Sequence, residues 1–143
     1  MPNPPISVLA FDFGTRKIGV AVGQSLTGTA SPLAALMAQD GQPNWQQVQQ
    51  LVNEWAPQYL LVGLPLNMDG SPSESSRRAR RFAGRLQGRF GVPARLIDER
   101  LSTREARARL GDNYRGGADP KVDSIAAVLL IESFFNDDSG APL

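Results

Sequence analysis

Two residue types that carry much of enzyme chemistry are missing from this sequence, because its 143 residues include no cysteine and no histidine. The absence of cysteine excludes disulfides, thiolate nucleophiles and cysteine-ligated zinc, and it fits a reducing compartment. The absence of histidine excludes Ser-His-Asp catalysis, imidazole general bases and nearly all zinc or non-haem iron sites. The remaining chemistry depends on carboxylates, arginine, lysine, hydroxyls and a hard, oxygen-liganded cation such as Mg²⁺ or Mn²⁺.

Long apolar runs are absent as well. No segment approaches the roughly 18 apolar residues of a membrane span, and residues 1–5 lack the charged and apolar regions of a signal peptide. We therefore expect a cytoplasmic protein with no membrane partner. The length predicts a single domain over residues 1–143, with flexible tails at residues 1–5 and 136–143.

Lysine is scarce, and arginine is concentrated in one part of the chain. Only Lys17 and Lys121 are lysines among 15 basic residues. Residues 77–115 contain 12 arginines against four acids, whereas the rest of the chain contains three basic residues against ten acids. Arginine in this excess suits bidentate phosphate contacts and stacking on bases. The pattern predicts contact with nucleic acid, and a merely solvated basic surface is the alternative.

An acid follows the first apolar run of the chain. Residues 6–11 are typical of a strand covered on both faces, and Asp12 stands at its carboxyl end. A polar turn with two cations, Arg16 and Lys17, then leads into a second apolar run at residues 18–22, which predicts a β-hairpin. An acid beside such a turn can hold a metal ion and a phosphate. The alternative is that Asp12 only caps the turn through its side chain.

Three further segments extend this hairpin into an α/β arrangement. Residues 28–33 predict a third, antiparallel strand at a sheet edge, because Pro32 cannot donate to a ladder. Asn44 is a candidate N-cap for a helix whose apolar residues recur at three- and four-residue spacing. Residues 59–64 form a short apolar run typical of a buried strand. A strand, a helix and a parallel strand in this order predict a βαβ unit.

An arginine-rich helix follows. Residues 71–74 predict a capping box with a helix that begins at Pro72, and the loop at residues 63–70 before it is a candidate phosphate site, with an ordinary strand-to-helix connection as the alternative. At about 100° per residue, the apolar side chains of this helix fall on one face and five arginines fall on a neighbouring arc. These arginines are Arg77, Arg78, Arg81, Arg85 and Arg89. The scarcity of acids on this arc favours a polyanion partner.

Two adjacent acids, Asp98 and Glu99, are predicted at the end of the next strand, residues 94–101. Because side chains alternate along a strand, these two point to opposite faces of the sheet. At most one of them can therefore face Asp12, and the sequence pattern leaves open which.

The last part of the chain contains one more acid on a core-facing stripe. A short helix is predicted over residues 103–110 and a glycine-rich loop over residues 111–118, where Arg115 is a candidate contact for nucleic acid. An apolar helix follows over residues 122–135, and Asp123 shares the buried stripe of its first turn. A buried carboxylate is costly unless it is paired or binds a cation, although it can also simply complement the helix dipole.

Three acids from separate segments suggest one site, namely Asp12, one of Asp98 and Glu99, and Asp123. If the two strand ends lie near each other, the three carboxylates meet in a chain without histidine, and like charges at that distance need a cation. Two Mg²⁺ or Mn²⁺ ions could then bind these oxygens together with a phosphodiester. Arg16, Lys17 and the helix arginines would hold the nucleic acid. The residues therefore predict a metal-dependent nuclease.

Four segments of the sequence resemble the motifs of the YqgF family, also called RuvX. They are FDFGTRKIGVAVG at residues 11–23, VGLPLNMDG at 62–70, DERLST at 98–103 and KVDSIAAV at 121–128. The resemblance implies a nuclease for the 5′ end of precursor 16S ribosomal RNA in ribosome biogenesis, in a family earlier described as Holliday junction resolvases.

The same resemblance implies a fold and a set of site residues. The fold is ribonuclease H-like, a mixed five-stranded sheet with the first three strands antiparallel and the others parallel, and with helices on both faces. The family's acidic, metal-binding and catalytic positions correspond to Asp12, Glu99 and Asp123, so the resemblance selects Glu99 over Asp98. RNA is the implied partner, with branched DNA as a second substrate class, and we expect a monomer or a weak homodimer.

Three other functions are compatible with parts of the sequence. A DNA junction resolvase would use the same acids. A nucleotide-binding phosphotransferase is suggested because Asp-Phe-Gly-Thr also resembles the first phosphate motif of actin-like folds, but 143 residues leave no room for the second such motif. A non-catalytic ribosome assembly factor would use the arginine face and keep the acids for structure only.

Overall fold

The computed structural model describes residues 5–99, 122–137 and 141–142, which form a seven-stranded sheet with helices on both faces. The elements in chain order are β1 (Ser7–Asp12), β2 (Lys17–Gln24), β3 (Thr29–Gln39), β4 (Gln42–Pro43), α1 (Trp45–Trp55), β5 (Tyr59–Leu64), α2 (Glu74–Phe90), β6 (Ala94–Asp98), a 3₁₀ turn (Val122–Ser124), α3 (Ile125–Asp137) and β7 (Ala141–Pro142). Among the described helices, none combines the length and apolarity that a membrane span requires.

Strand β1 lies at the centre of the sheet, whose order is β4-β3-β2-β1-β5-β6-β7. It pairs antiparallel with β2 and parallel with β5, while β2 pairs antiparallel with β3 and β5 pairs parallel with β6. The predicted mixed α/β sheet is therefore confirmed, including the antiparallel first three strands. The expected number of five strands is exceeded by two strands of two residues each, β4 and β7, which extend the edges.

Alternation along the strands produces two apolar cores, one on each face of the sheet. On the first face, Leu9 and Phe11 of β1 pack in one cluster with Val48 of α1 and Phe82 of α2. On the second face, strand residues such as Ala10 pack with the apolar side of α3. Because β1 is covered by helices on both faces, its residues are almost all apolar, as the sequence pattern predicted.

The helix ends follow from local capping chemistry. Asn44 caps α1 as predicted, since its side chain accepts a hydrogen bond from the Gln46 backbone N–H at 2.9 Å. The predicted start of α2 at Pro72 is wrong. The helix begins at Glu74 because Ser73 is the N-cap and exchanges two hydrogen bonds with Ser76, whose hydroxyl takes the role usually played by a glutamate side chain.

Several predicted boundaries change in the tertiary structure. Strand β3 runs to Gln39, beyond the predicted residues 28–33, because β2 offers it a long antiparallel partner. The C-terminal segment expected as a tail is partly regular, since α3 continues to Asp137 and β7 pairs with β6. The predicted helix at residues 103–110 and loop at 111–118 lie outside the described residues.

Candidate active site

The carboxyl end of β1 combines an acid with two neighbouring glycines on the α3 face of the sheet. Asp12 shares this face with Ala10, a member of the core beneath α3, because side chains alternate along the strand. Gly19 pairs directly with Asp12 across β1 and β2. On the other side, the parallel register of β1 with β5 brings Gly63 next to Asp12. Because the two glycines have no side chain, other groups can pack on either side of the acid.

Glu99 occupies the space above Gly63. A Cβ atom on Gly63 would overlap the Glu99 carboxyl group, so the glycine is what allows this close approach. Burial raises the pKa of Glu99 to about 9, and its hydrogen bond and electrostatic interaction with Asp12 add to the increase. At neutral pH the protonated Glu99 carboxyl therefore donates a hydrogen bond to Asp12. The two predicted site acids meet in the folded chain.

The predicted strand over residues 94–101 ends earlier than expected, because β6 stops at Asp98 and Glu99 follows it. Two positions before Asp98, Leu96 belongs to the core beneath α1 and α2, so Asp98 is directed toward that face, where it is exposed. The geometry therefore selects Glu99 as the partner of Asp12.

Asp123 lies in the 3₁₀ turn before α3, because the helix predicted to start at residue 122 begins at Ile125, and it approaches the same strand end through its backbone. A Cβ atom on Gly19 would lie 2.5 Å from the Asp123 carbonyl oxygen. The hydroxyl of Ser124, which is completely buried, accepts a hydrogen bond from the Val20 N–H at 2.9 Å and donates one to the Leu33 carbonyl at 2.7 Å. These two bonds lie at a shift in the register between β2 and β3. They fix the start of α3 beside Gly19.

The Asp123 carboxylate is held by a cation from the hairpin. Lys17 Nζ lies 3.2 Å from Asp123 Oδ2, with the lysine side chain about half exposed. In the described segments, no three acidic side chains are close enough to hold a metal ion together. The structure thus brings Asp12 and Glu99 into contact and places the backbone of Asp123 one strand away, with its carboxylate paired to Lys17 rather than gathered with the other two.

Helix α2 carries its arginines on the side away from the sheet. The predicted apolar face is confirmed, since Ala79, Phe82, Ala83 and Leu86 are fully buried. Six arginines of this helix are exposed, namely Arg77, Arg78, Arg80, Arg81, Arg85 and Arg89.

Among the described residues, two of the arginines predicted to contact nucleic acid form long, exposed ion pairs. Arg77 and Arg78 lie 3.5 and 3.4 Å from Glu74. Arg89 instead stacks over the ring of Trp45, at 4.2 Å from the ring centroid.

Phe13 follows Asp12 in the chain and lines the same cavities as arginines of α2. We call Asp12 and Glu99 the acid pair. Sequence reasoning missed this position of Phe13 between the acid pair and the arginines. Its ring lines two adjoining cavities of about 320 and 240 Å³, which also share Glu74 and Arg78. We call these two cavities together the Phe13 groove. Arg81 and Arg85 line the larger cavity together with the β3–β4 turn at residues 40–42, and residues 14–15 line the smaller one. The turn position of Phe13, between an acid and a glycine, gave no sequence signal for this surface.

Comparison with known proteins gives the family. The family described as "RuvX: Holliday junction resolvase" matches residues 6–137. The chain therefore belongs to the RuvX family. It is 60% identical over 132 residues to a protein of Alcanivorax borkumensis, covering 92% of this chain and 97% of that protein. It is also 56% identical over 136 residues to a Yersinia pestis protein, covering 94% and 97%. Both relatives are named "Putative pre-16S rRNA nuclease".

Solved structures resemble this RuvX-family chain in fold. Thermus thermophilus RuvC in complex with a Holliday junction substrate superposes with a TM-score of 0.58 at 16% identity, covering 96% of this chain and 99% of that one. The yeast mitochondrial Holliday junction resolvase Ydc2 superposes with a TM-score of 0.51 at 10% identity, covering 90% and 77%. The expected ribonuclease H-like fold is confirmed by these neighbours.

The remaining predicted contacts of the RuvX-family chain have different surroundings. Arg16 is exposed in the hairpin turn, where its carbonyl accepts a hydrogen bond from Ala38 at 2.8 Å. Arg115 lies outside the described residues. The loop proposed to hold phosphate is closed by its own bonds, since Asp69 accepts hydrogen bonds from the backbone and hydroxyl of Ser71. A phosphate site there stays a prediction.

The donor set at the end of β1 fits a hard divalent cation. The carboxyl groups of Asp12 and Glu99 supply only oxygen ligands, the type that Mg²⁺ and Mn²⁺ prefer. Two carboxyl groups in contact, one of them largely buried, require either a proton or a cation between them, and the raised pKa of Glu99 expresses that requirement. The residues present therefore fit a metal ion.

Proposed function

We propose that this chain is a divalent-metal-dependent endonuclease that hydrolyses phosphodiester bonds in structured RNA, acting at the 5′ end of precursor 16S ribosomal RNA in the cytoplasm. The observation that carries the proposal is the carboxyl pair of Asp12 and Glu99 over Gly63, at the end of the central strand. The names of the relatives support the substrate, and the exposed arginines of α2 support a polyanion partner.

The three acids would form the metal site, as the family resemblance implies. Asp12 and Glu99 would hold Mg²⁺ or Mn²⁺ in a two-metal site, and Asp123 would join them after its carboxylate separates from Lys17. When bound there, divalent ions polarise the phosphodiester and lower the pKa of an attacking water molecule. Cation binding would also replace the proton that Glu99 carries, because a cation neutralises the pair in its place.

The basic residues would orient the substrate. Lys17 lies at the start of β2, in the hairpin that follows Asp12, and its ammonium group, once released from Asp123, would neutralise a phosphate beside the cleaved bond. Arg16 is exposed in the same turn. Arg77, Arg78, Arg81, Arg85 and Arg89 on α2, and Arg115, would hold phosphates farther along the RNA.

The test is cleavage of an RNA that carries the 5′ precursor segment of 16S ribosomal RNA. The wild-type protein with Mg²⁺ or Mn²⁺ should release a defined product, and excess EDTA should abolish cleavage. Asp12→Asn should lower the rate by at least about 1,000-fold, since it removes a ligand and a charge from the site. Glu54→Gln, on the exposed side of α1, is the matched control and should keep wild-type activity. If Asp12→Asn cleaved the RNA as fast as wild type, the cleavage would come from a contaminating nuclease.

A DNA junction resolvase is the second candidate, favoured by the family description and the RuvC-like fold. A four-way DNA junction, assayed beside the RNA under the same conditions, separates the two functions. Symmetric cleavage of the junction with the RNA left intact would replace the proposed substrate.

A non-catalytic assembly factor is distinguished by metal binding. Thermal unfolding with and without millimolar Mg²⁺ should show a higher midpoint with metal, because ligands that bind the native state stabilise it. An unchanged midpoint, together with no cleavage of either substrate, would favour the assembly factor.

A further inference from the structure

We propose that the Phe13 groove binds single-stranded RNA, and that the strand enters it directly from the acid pair by passing around the carboxyl end of β1. This proposal rests on the proposed function only for the position of the cleaved bond. The groove itself is defined by Phe13, Arg78, Arg81 and Arg85, and by residues 40–42, where Gly41 of the β3–β4 turn packs against the edge of the Phe13 ring.

The groove begins next to the acid pair. Asp12 belongs to the α3 face, and the next residue, Phe13, packs against Phe82 in the core on the other face, with ring centroids 5.2 Å apart. The smaller cavity is lined by Phe13, Gly14 and Thr15 of the hairpin turn, and the larger one continues along α2. A chain bound at Asp12 therefore has a short route over the turn into the groove.

Three arginines line the groove, and two of them are unpaired in the part of the chain that the structure describes. Within residues 5–99, 122–137 and 141–142, neither Arg81 nor Arg85 has an ion-pair partner. Arg78 forms a 3.4 Å contact with the exposed Glu74, which a phosphate can displace. Two acids, Glu74 and Asp40, also line the cavities, so the surface is not uniformly positive. Phosphates should therefore follow the arginine side, and the sugar and base should face the turn.

An aromatic ring lies in the wall of this basic groove. Phe13 is only partly buried, and its tilted contact with Phe82 fixes its ring while it borders both cavities. Binding of single strands typically combines a basic groove with an aromatic side chain on which a base stacks. Beside the ring, on either side of Gly41, Gln42 and Asp40 offer hydrogen-bonding groups to a base edge or a 2′-hydroxyl.

The path requires a single strand rather than a duplex. The route changes from one face of the sheet to the other between two consecutive residues, Asp12 and Phe13. Duplex nucleic acid is stiff over roughly 150 base pairs, whereas an unpaired strand bends at each nucleotide. A cavity of about 320 Å³ is also at the lower end of the size range for small ligands and suits one nucleotide. We infer that the substrate is unpaired on one side of the cleaved bond.

The test is binding of a fluorescent 12-nucleotide oligouridine by anisotropy, in EDTA so that no cleavage occurs. Arg81→Ala and Arg85→Ala should each weaken binding by about 10-fold and lower the salt dependence by about 0.7 in the log-log slope, the value expected for one lost phosphate contact. Arg80→Ala is the matched control, because it removes the same charge from the same helix but lies outside the groove. It should weaken binding by less than about 2-fold.

A second variant tests the aromatic ring. Phe13→Leu keeps an apolar side chain against Phe82 but removes the stacking surface, so it should weaken single-strand binding by about 5- to 10-fold. A blunt RNA duplex should bind less tightly than the single strand and should be insensitive to Phe13→Leu. Unchanged thermal unfolding of the variant would show that the loss is not caused by unfolding.

Three results would overturn the proposal that the groove binds a single strand. The first is an equal loss of affinity for Arg80→Ala and Arg81→Ala. The second is no loss of affinity for Phe13→Leu, and the third is duplex binding that is as tight, and as sensitive to Phe13→Leu, as single-strand binding. These outcomes are separable from failure of the nuclease proposal. If the protein cleaves the precursor but shows any of these results, the nuclease proposal stands and the groove proposal fails. If it binds single strands selectively but does not cleave, the groove proposal stands and the nuclease proposal fails.

Discussion

The two faces of the sheet meet at the end of β1, and they are built in opposite ways. On the α3 face, glycines make room for acids, and Glu99 is packed so closely over Gly63 that it keeps its proton. On the α2 face, aromatic rings fill the interior, and the arginines are left on the outside with few partners. We call the α3 face at this strand end the acid face and the exposed side of α2 the basic face. The function of the acid face depends on fixed distances between a few atoms, whereas that of the basic face depends on the presence of charge.

This difference predicts different responses to mutation. The acid pair should be sensitive to a single added carbon atom, because its geometry comes from close packing. The basic face should tolerate most single changes, because exposed charges interact weakly one at a time.

The largest effect is expected for Gly63→Ala. The new Cβ would overlap the Glu99 carboxyl group, and since the end of a side chain moves more easily than backbone, Glu99 should leave Asp12 while the protein stays folded. We expect RNA cleavage to fall by about 100-fold, with RNA binding within about 2-fold of wild type. Gly88→Ala is the control, because nothing lies near its added Cβ, and it should keep full activity. Normal cleavage by Gly63→Ala would show that the carboxyl pair is not needed.

The next effect concerns the pH dependence of stability without metal. Because the pKa of Glu99 is raised to about 9 in the folded protein, the folded state keeps a proton that the unfolded chain loses above its ordinary value of 4.5. The contribution of Glu99 to stability should be fully present below pH 4.5 and should be lost as the pH rises toward 9.

Glu99→Gln removes this titration. In EDTA at pH 8, the variant should be more stable than wild type by about 2 kcal/mol, because wild type must take up a proton at Glu99 when it folds, whereas the amide needs none. At pH 5 the two proteins should differ less. Urea unfolding at both pH values measures the difference, with the exposed Glu54→Gln as the control. A constant difference between wild type and Glu99→Gln would contradict the assignment of the buried proton to Glu99.

Ser124→Ala tests how the start of α3 is fixed. Removing the hydroxyl leaves the Val20 N–H and the Leu33 carbonyl without their partner in a buried position. We expect a loss of about 1–2 kcal/mol in the free energy of unfolding. Ser31→Ala, at an exposed position of β3, should change it by less than about 0.5 kcal/mol. Similar values for the two variants would mean that water replaces the Ser124 hydroxyl.

The smallest effect is expected for Glu74→Gln on the basic face. This variant removes both exposed ion pairs of α2, yet stability should change by less than about 0.5 kcal/mol because such pairs are weak in water. Single-stranded RNA should bind slightly more tightly, by about 2-fold, since Arg77 and Arg78 no longer compete with an internal carboxylate. Weaker RNA binding would indicate that Glu74 orients Arg78 for the substrate.

Sequence patterns were sufficient where periodicity decides the structure. The apolar run before Asp12 predicted a doubly covered strand, and the helical spacing of α2 separated the buried Phe82 from the exposed arginines. Alternation predicted opposite directions for Asp98 and Glu99 within one strand, but β6 ends at Asp98, so the position of Glu99 comes from the chain beyond the strand. The start of α2 was predicted wrongly because two serines fit the N-cap position. Ser71 precedes a proline, and Ser73 precedes a glutamate. The hydrogen bonds between Ser73 and Ser76 identify Ser73 as the cap.

The functional groups available to this chain follow from its amino-acid sequence: carboxylates without histidine, an arginine-rich helix and strands with alternating side chains. Which of these groups meet depends on the folded chain, because contacts between residues distant in the sequence require a particular strand register and enough space. Register put Gly19 and Gly63 beside Asp12, and the space above Gly63 admitted Glu99. Packing likewise brought Phe13 to the arginines and paired Lys17 with Asp123, neither of which any local pattern contains.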